Sequence, residues 1–468
     1  MKTGNENIKI EVPGQVCEIL NKLNDAGFEA YAVGGCVRDS LLGKTPADWD
    51  ITTSAMPEQV KAIFKRTVDT GIKHGTVTVL MRENGVISGY EVTTYRIDGI
   101  YEDSRHPKEV TFTPDLSEDL KRRDFTVNAM AYHPKKGIID LFGGREDLDK
   151  RLIRCVGNAK ERFSEDALRM MRAIRFAAQL CGTIEDDTYA AVSKLAPTLE
   201  KVSAERIRVE VEKLLVSAHP YYFKMFYETG LTDCFMPEFN KCMETTQENP
   251  HHCYNVGEHM LHSLETLDLE GLKDEVPEED YASSVRILRL TMLLHDIGKP
   301  ALKTIDDDGI AHFKGHPELG AKMAEDILKR LRYDNETVHM VKGLVYGHEG
   351  RYPAEKKYIR RDVNRLGTEY FPLMFYVNEA DMMAQSEFMR DEKKERLGKI
   401  RELYREIKAE GECLTISDLA VKGADLIAAG VKPGPGMGKI LNSMLEDVLD
   451  DPDHNDREYL LEHYVYER

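Results

Sequence analysis

Disulfide chemistry is the first thing this sequence cannot support. Its 468 residues hold eight cysteines and no CxxC pair, so it encodes neither a disulfide scaffold nor a zinc ribbon. No apolar run approaches the roughly 18 residues of a membrane span. Charged residues make up 31% of the chain. The opening residues, MKTGNENIKIEV, lack the apolar stretch of a secretion signal. A reduced cytoplasm is the expected compartment. Internal repeats and low-complexity tracts are also missing, which excludes solenoids and bulk disorder.

What is present is apolar material for several cores. Apolar residues make up 41%, and the length predicts two to four domains. The net charge is −18, which taken alone argues against a nucleic-acid partner. The charge is unevenly spread. Residues 120–215 carry 19 Lys+Arg against 15 Asp+Glu, while 441–468 carry two against nine. A polyanion would be met through the first of these regions.

Hydrophobic spacing predicts a helix over 13–26, with Val16, Ile19, Leu20 and Leu23 on one face and Gly27 at its end. Short strand-like runs follow at 28–33, 49–53, 75–81, 90–94 and 109–113, with a helix at 57–64. Beyond 150 the strand signal fades, and 160–230 and most of 255–410 read as consecutive helices. A Pro/Gly cluster at 432–438 punctuates the end.

Three constellations carry chemistry. In the first, Gly34 and Gly35 follow a predicted strand and open a helical turn that includes Arg38. Two glycines let the backbone approach a phosphate, and a helix start offers free N–H groups. Asp48 and Asp50 stand at i and i+2 on a predicted strand, so both carboxylates face one way. Side by side they repel unless a cation holds them, and hard oxygens suit Mg²⁺. Glu91, on a later strand, completes a carboxylate set if that strand neighbours the first.

At this point the residues resemble a family. The stretch GGCVRDSLLGKTPADWDI at 34–51 resembles the signature of class II, bacterial-type CCA-adding tRNA nucleotidyltransferases, within the polymerase-β-like superfamily. TGIKHGTVTV at 70–79 is similar to a strand pair of that family. RRDFTVNAMA at 122–131 resembles its second motif and implies a nucleotide contact for Arg123. DLFGG at 140–144 resembles the third. The resemblance implies a multidomain α+β protein. A nucleotidyltransferase α/β head (1–150) is followed by an all-α neck (151–235), an HD phosphohydrolase domain (236–395) and a tail (396–468).

The second constellation is the run 165–175, which reads as one amphipathic helix. With Asp166 set at 0°, Arg169, Arg172 and Arg175 fall at roughly 300°, 240° and 180°. Periodicity alone favours a solvated basic face. The resemblance implies instead that Asp166 and Arg169 read the incoming base. Cytosine and adenine both present an amino donor beside a ring-nitrogen acceptor, which an Asp and an Arg complement. Uracil and guanine present the opposite pattern, and one such pair discriminates by about 1–3 kcal/mol. Arg172 and Arg175 are assigned to the nucleotide or RNA. The segment 203–210 is read as scaffold bracing this helix. The resemblance implies a flexible loop here in members that add the final A and a shortened one in those that add only the two Cs, so the polar loop over 95–107, with Arg96, Asp98, Asp103 and Arg105, argues against an enzyme that adds only the two Cs.

The third constellation lies in the helical half: His259, then His295-Asp296 in LLHDIGKP, then His316, His348 and Asp381. It resembles the HD metal-dependent phosphohydrolase superfamily. Carried over, His259, His295, Asp296 and Asp381 hold one divalent transition metal, with His316 and His348 for a second. Metal-dependent hydrolysis of a phosphoester is the implied chemistry. A glycine-rich segment at 425–439 resembles a tail element and reads equally as an RNA phosphate cradle or a plain turn.

The expected reading is a CCA-adding enzyme that joins C, C and A to tRNA 3′ ends from CTP and ATP. It uses Mg²⁺ in the head, no membrane, and an oligomeric state left open. The alternatives are an A-adding enzyme or poly(A) polymerase, and a phosphohydrolase of nucleotides or RNA ends.

Overall fold

Residues 30–33 interrupt their apolar run with no charged side chain, and they form a wholly buried strand. The structure, a computed structural model, describes residues 9–83, 85–99, 110–350 and 353–466. The chain divides into two compact units, 1–235 and 236–468. The strands of the first unit's head are β1 (Ala30–Val33), β2 (Ile51–Thr53), β3 (Thr67–Gly71), β4 (Thr76–Glu83), β5 (Val86–Thr94), β6 (Arg96–Asp98), β7 (Val110–Phe112), β8 (Met130–His133) and β9 (Gly137–Asp140). Seven of them form one sheet in the order β3-β4-β5-β2-β1-β8-β9. The pair β2–β5 is parallel and its neighbours are antiparallel.

The expected helix over 13–26 is present as Gly14–Asp25, burying Val16, Ile19, Leu20 and Leu23. Gly27 follows it with φ 87°. Tyr31 and Val33 pack with Tyr95, Leu116, Leu120 and Ala131 on one face of the sheet. The loop expected over 95–107 begins as strand β6, which pairs with β7. Asp103 and Arg105 lie outside the described residues.

Three expectations about the head and neck need correction. Asp48 and Asp50 are not on a strand, because β2 begins only at Ile51. The alternation nevertheless holds, since Trp49 is buried between two exposed acids. The run 165–175 is not one helix. A helix Ala159–Glu165 ends at Asp166, whose φ −141° and ψ 105° are extended. A second helix starts at Leu168 and runs to Leu180. The hydrophobic period continues through the break, but the backbone does not, so the wheel angles do not apply to Asp166. The neck is also not purely helical: β10 (Leu152–Ile153) and β11 (Thr183–Ile184) pair in parallel.

The second unit is helical apart from the two-residue pair β12 (Thr304–Ile305) and β13 (Ala311–His312). Helix Glu278–Leu294 opens with three acids and is buried all round from Val285 to Leu294, Arg286 excepted. The boundary expected at 395/396 falls inside the continuous helix Arg390–Glu410. The segment 425–439 ends one helix (Gly423–Ala428) and starts another (Pro435–Asp450). These helices bury a core of Leu426, Met444, Val448, Leu449 and Leu460.

Candidate active site and metal centre

Strand β1 delivers the chain to Gly34, which adopts φ 83° and caps helix Gly35–Leu41. A side chain is excluded here twice over. The backbone conformation disfavours one, and Arg123 Nη1 stands 3.0 Å from where a Cβ would be. Val33 N donates to Asp50 O at 3.0 Å, which ties the entrance of this turn to the acidic segment. Arg38 is held by Asp39 (2.8 Å) and by Asn128 Oδ1 (2.6 Å).

The register Ile51↔Val92 in the parallel pair β2–β5 sets Glu91 beside Asp50. The sheet order thus supplies the neighbourhood that the sequence left conditional. Although Asp50 keeps an exposed side, the surrounding protein strips water from its carboxyl and raises it above its ordinary range; the charge of Asp48 adds to this, with Glu91 contributing less. Arg123 opposes the shift. Three carboxylates therefore share one field with one cation facing it.

Around the helix break, every charged group has a partner. Asp166 accepts from Arg206 at 3.2 and 2.7 Å and from Leu168 N at 3.1 Å. Arg169 is fixed by Glu165 at 2.6 Å and by the carbonyls of Arg162 and Arg122. Arg172 forks onto Asp124 Oδ2 at 2.8 and 2.6 Å. Burial alone would raise the Asp124 carboxyl, but the charges of Arg172 and Arg169 bring it to about 2. Arg175 is 5% exposed and reaches Glu210 at 2.5 Å, itself 3% exposed. Arg38, Arg172 and Arg175 surround the ring of Phe176 at 5.0, 5.3 and 3.8 Å.

These contacts change the roles expected for two arginines. Arg175 is part of the interior and is not available to nucleotide or RNA. Arg172 is committed to a carboxylate of the second motif. The bracing expected of 203–210 takes the form of two ion pairs from one helix, Ala204–Leu215. Phe176 was given no role by the sequence, Arg206 and Glu210 only membership of the bracing segment, and Asp124 and Asn128 only membership of a motif. Arg206 and Glu210 gave no signal, because their partners lie 40 and 35 residues away.

In the second unit, five helical termini or faces converge. His259 lies on helix Val256–Glu265, which Asn255 caps. His295 and Asp296 follow the buried helix Glu278–Leu294. Gly298 lets the next helix close in, since its Cβ would stand 2.6 Å from His316 O and 2.7 Å from Gly320 N. His316 starts helix His316–Arg330, His348 ends Asn335–Gly347, and Asp381 lies on Phe371–Ala384.

All six ligand candidates meet. Asp296 Oδ2 lies 3.5 Å from His259 Nε2 and 3.3 Å from His295 Nε2. Asp381 Oδ1 lies 2.8 Å from His259 Nε2. Asp296 Oδ1 lies 3.3 Å from His316 Nε2 and 3.5 Å from His348 Nε2. Asp296 thus stands between two groups, His259–His295–Asp381 and His316–His348.

The residues fit divalent cations on their own chemistry. Each histidine turns Nδ1 to a backbone carbonyl: Ala384 (3.4 Å), Met292 (2.9 Å), Phe313 (2.9 Å) and Val345 (2.6 Å). A carbonyl only accepts, so Nδ1 carries the proton and Nε2 presents a lone pair. Two such lone pairs face each other at 3.2 Å (His259–His295) and two at 3.3 Å (His316–His348). That arrangement is repulsive without a cation between them. Both oxygens of Asp296 are buried and accept no well-formed hydrogen bond, although Lys299 Nζ stands 2.7 Å from Oδ2. A cavity of about 380 Å³ opens on Asp296, His316, His348 and Asp381, with Lys393 and Arg396 in its wall.

Three family models match parts of this chain. A family model described as the poly A polymerase head domain matches residues 30–154. One described as "Probable RNA and SrmB- binding site of polymerase A" matches 183–243. One described as "tRNA nucleotidyltransferase domain 2 putative" matches 309–464. The CCA-adding enzyme of Limosilactobacillus reuteri is 38% identical over 453 residues, covering 95% of this chain and 94% of that protein. The CCA-adding enzyme of Leuconostoc mesenteroides is 58% identical over 200 residues, 43% of this chain and 49% of that protein. The Bacillus stearothermophilus CCA-adding enzyme in complex with CTP aligns with a TM-score of 0.68 at 30% identity, covering 99% of this chain and 98% of that one.

The Arg175–Glu210 pair generates a first prediction. Arg175→Leu leaves Glu210 as an uncompensated buried charge and should lower unfolding stability by about 3–5 kcal/mol in urea. Arg175→Met combined with Glu210→Leu should recover most of that loss. A stable Arg175→Leu protein with weakened tRNA binding would restore the RNA-contact role.

Proposed function

The chain belongs to the CCA-adding enzymes, and on that premise we propose how its own residues carry the reaction. It is a tRNA nucleotidyltransferase that adds C, C and A to tRNA 3′ ends from CTP and ATP. The RNA 3′ hydroxyl attacks the α-phosphate of the bound nucleotide, and pyrophosphate leaves. Among the described residues no helix is long and apolar enough to cross a membrane. The cytoplasm is the compartment that this reaction and the reduced cysteines suit.

The family uses a divalent metal. Asp48 and Asp50, with Glu91 beside them, are the residues that would hold it, and Mg²⁺ suits three hard carboxylates. When bound, the metal supplies positive charge against the triphosphate and the departing pyrophosphate. Gly34 and Gly35 bring backbone close to the phosphates, and Arg123 adds a cation at the same turn. The observation that carries this reading is the strand register: it joins Asp50 to Glu91 on one side and, through Val33, to Gly34 on the other.

Base choice is assigned to Asp166 and Arg169. Arg206 holds the Asp166 carboxylate as an acceptor, and a carboxylate has lone pairs left after these bonds. Glu165 and two carbonyls fix Arg169 beside it. The amino group of cytosine or adenine meets Asp166, and the ring nitrogen meets Arg169. Arg172 acts through Asp124, the carboxylate of the second motif that it holds.

A second activity is supported by the second unit. His259, His295, Asp296 and Asp381, with His316 and His348, would hold two divalent transition metals and make an HD-type phosphohydrolase site. What supports this is the facing Nε2 pairs on either side of Asp296.

Two experiments test these assignments. The first supplies one nucleoside triphosphate at a time to tRNAs ending before the first C and after CC, and to an unrelated RNA. Wild type should add C and then A to tRNA only, and Asp50→Ala should add neither while binding tRNA within a few fold, because affinity rests mostly on phosphate contacts. Near wild-type addition by Asp50→Ala would remove the carboxylates from the chemistry. The second changes His295 and Asp296 to Ala together. CCA addition should persist, bound transition metal measured by elemental analysis should fall, and metal-dependent hydrolysis of bis-p-nitrophenyl phosphate should vanish. Unchanged metal content would refute the second site.

A further inference from the structure

Behind the proposed phosphate turn lies a buried anion that none of the assigned roles uses. Asp119, on helix Leu116–Lys121, is 0% exposed. Its Oδ1 accepts from Arg122 Nε at 3.0 Å and Nη2 at 2.7 Å. Its Oδ2 accepts from Thr52 Oγ1 at 3.0 Å and from Arg123 Nη2 at 3.5 Å. Burial works against this carboxylate, but Arg122, Arg123 and the Thr52 hydroxyl outweigh it and hold it below its ordinary range. It stays charged where it is.

The three partners come from different parts of the site. Thr52 is the middle residue of β2, two residues beyond Asp50. Arg123 is the cation whose other guanidinium nitrogen lies 3.0 Å from the Cβ position of Gly34, and whose charge acts on Asp50. Arg122 offers its carbonyl to Arg169 at 3.2 Å. One carboxylate therefore touches the strand behind the catalytic acids, the arginine at the phosphate turn and the residue that supports the base-reading arginine.

Charge dictates what happens without it. Arg123 has carboxylates on two sides, Asp119 behind it and the Asp50 group in front. If the anion behind is removed, the attraction in front is unopposed, and the guanidinium swings onto Asp50. There it would leave Gly34 and neutralise an acid that the reaction needs. Arg123 faces the nucleotide only while it is pulled from behind.

We propose that Asp119 is a positioning residue for the nucleoside triphosphate: it holds Arg123 at the Gly34 turn, off Asp50, and Thr52 fastens that clamp to the strand behind Asp48 and Asp50. This rests on the reading that Arg123 contacts the nucleotide. The role is common to CTP and ATP, since nothing in the clamp meets a base.

The test is equilibrium binding of CTP and of ATP to the full-length protein without RNA, so that no turnover contributes. Four variants are compared: Asp119→Asn, Thr52→Val, Thr52→Ser and Arg123→Ala. Asp119→Asn and Thr52→Val should each weaken both nucleotides by about tenfold, the scale of one lost hydrogen bond to a charged group. The CTP:ATP ratio should not move. Thr52→Ser, which keeps the hydroxyl, should bind within about twofold of wild type on the same scale. A generally loosened head would not be rescued by serine. Should Asp119→Asn fail to fold, the valine and serine pair at Thr52 carries the test, because both nearly preserve shape. Wild-type affinity in Asp119→Asn and Thr52→Val beside weakened Arg123→Ala would overturn the proposal. Wild-type affinity in Arg123→Ala would show instead that the nucleotide reading of Arg123 is wrong, and the clamp would fall with it.

Discussion

A buried arginine needs an anion, and the first unit is organised around that requirement. Arg175 has Glu210, Arg172 has Asp124, and Asp166 has Arg206. The first of these pairs is buried and the other two are half-buried, and where such groups lose water only close geometry returns the cost. The pairs therefore fix relative positions sharply. Arg206 and Glu210 stand one turn apart on helix Ala204–Leu215, so a single helix face holds both the helix break at Asp166 and the interior of helix Leu168–Leu180. The base-reading role proposed for Asp166 and Arg169 requires an edge that does not adapt to the base it meets. Ion pairs that are expensive to break give that stiffness in a protein with no nucleic-acid template.

The second unit solves a different electrostatic problem. Four imidazoles present lone pairs to one another, and a carboxylate with no well-formed hydrogen bond lies between them. The helices that hold them are locked by backbone carbonyls at Nδ1 and by Gly298, which admits helix His316–Arg330. Around this centre the wall includes Lys393, whose ammonium reaches Gln385 Oε1 at 2.6 Å, while Gln385 Nε2 reaches Asp381. The candidate ligand Asp381 thus has an outer partner of its own, of the kind that orients ligands at metal centres.

Local chemistry was legible in the sequence, and distant pairing was not. Gly34 announces itself because a strand, two glycines and an arginine are adjacent. Asp48 and Asp50 are two residues apart and needed no fold to be noticed. Glu91 required the register of β2 on β5, which no local pattern encodes. The six metal-centre residues sit in short motifs, so each was visible, although the position of Asp296 between both groups was not. The helix break at Asp166 stayed hidden because the apolar spacing runs through it unchanged. Arg175 looked like a solvated or RNA-facing arginine because its partner lies 35 residues away. Asp119 did leave a trace: it precedes Arg122 and Arg123 by three and four residues, the spacing of helical ion pairs.

The central claim is that Asp166 and Arg169 choose the nucleotide by opposite chemistry. It is tested most directly by kcat/KM for CTP, ATP, UTP and GTP on one tRNA substrate, in wild type and in Asp166→Ala. Removing the acceptor removes what repels a carbonyl, so discrimination against UTP and GTP should fall by about 1–3 kcal/mol, roughly 5- to 150-fold in relative kcat/KM. Unchanged selectivity in a folded Asp166→Ala enzyme would contradict the account and move base reading away from this helix break.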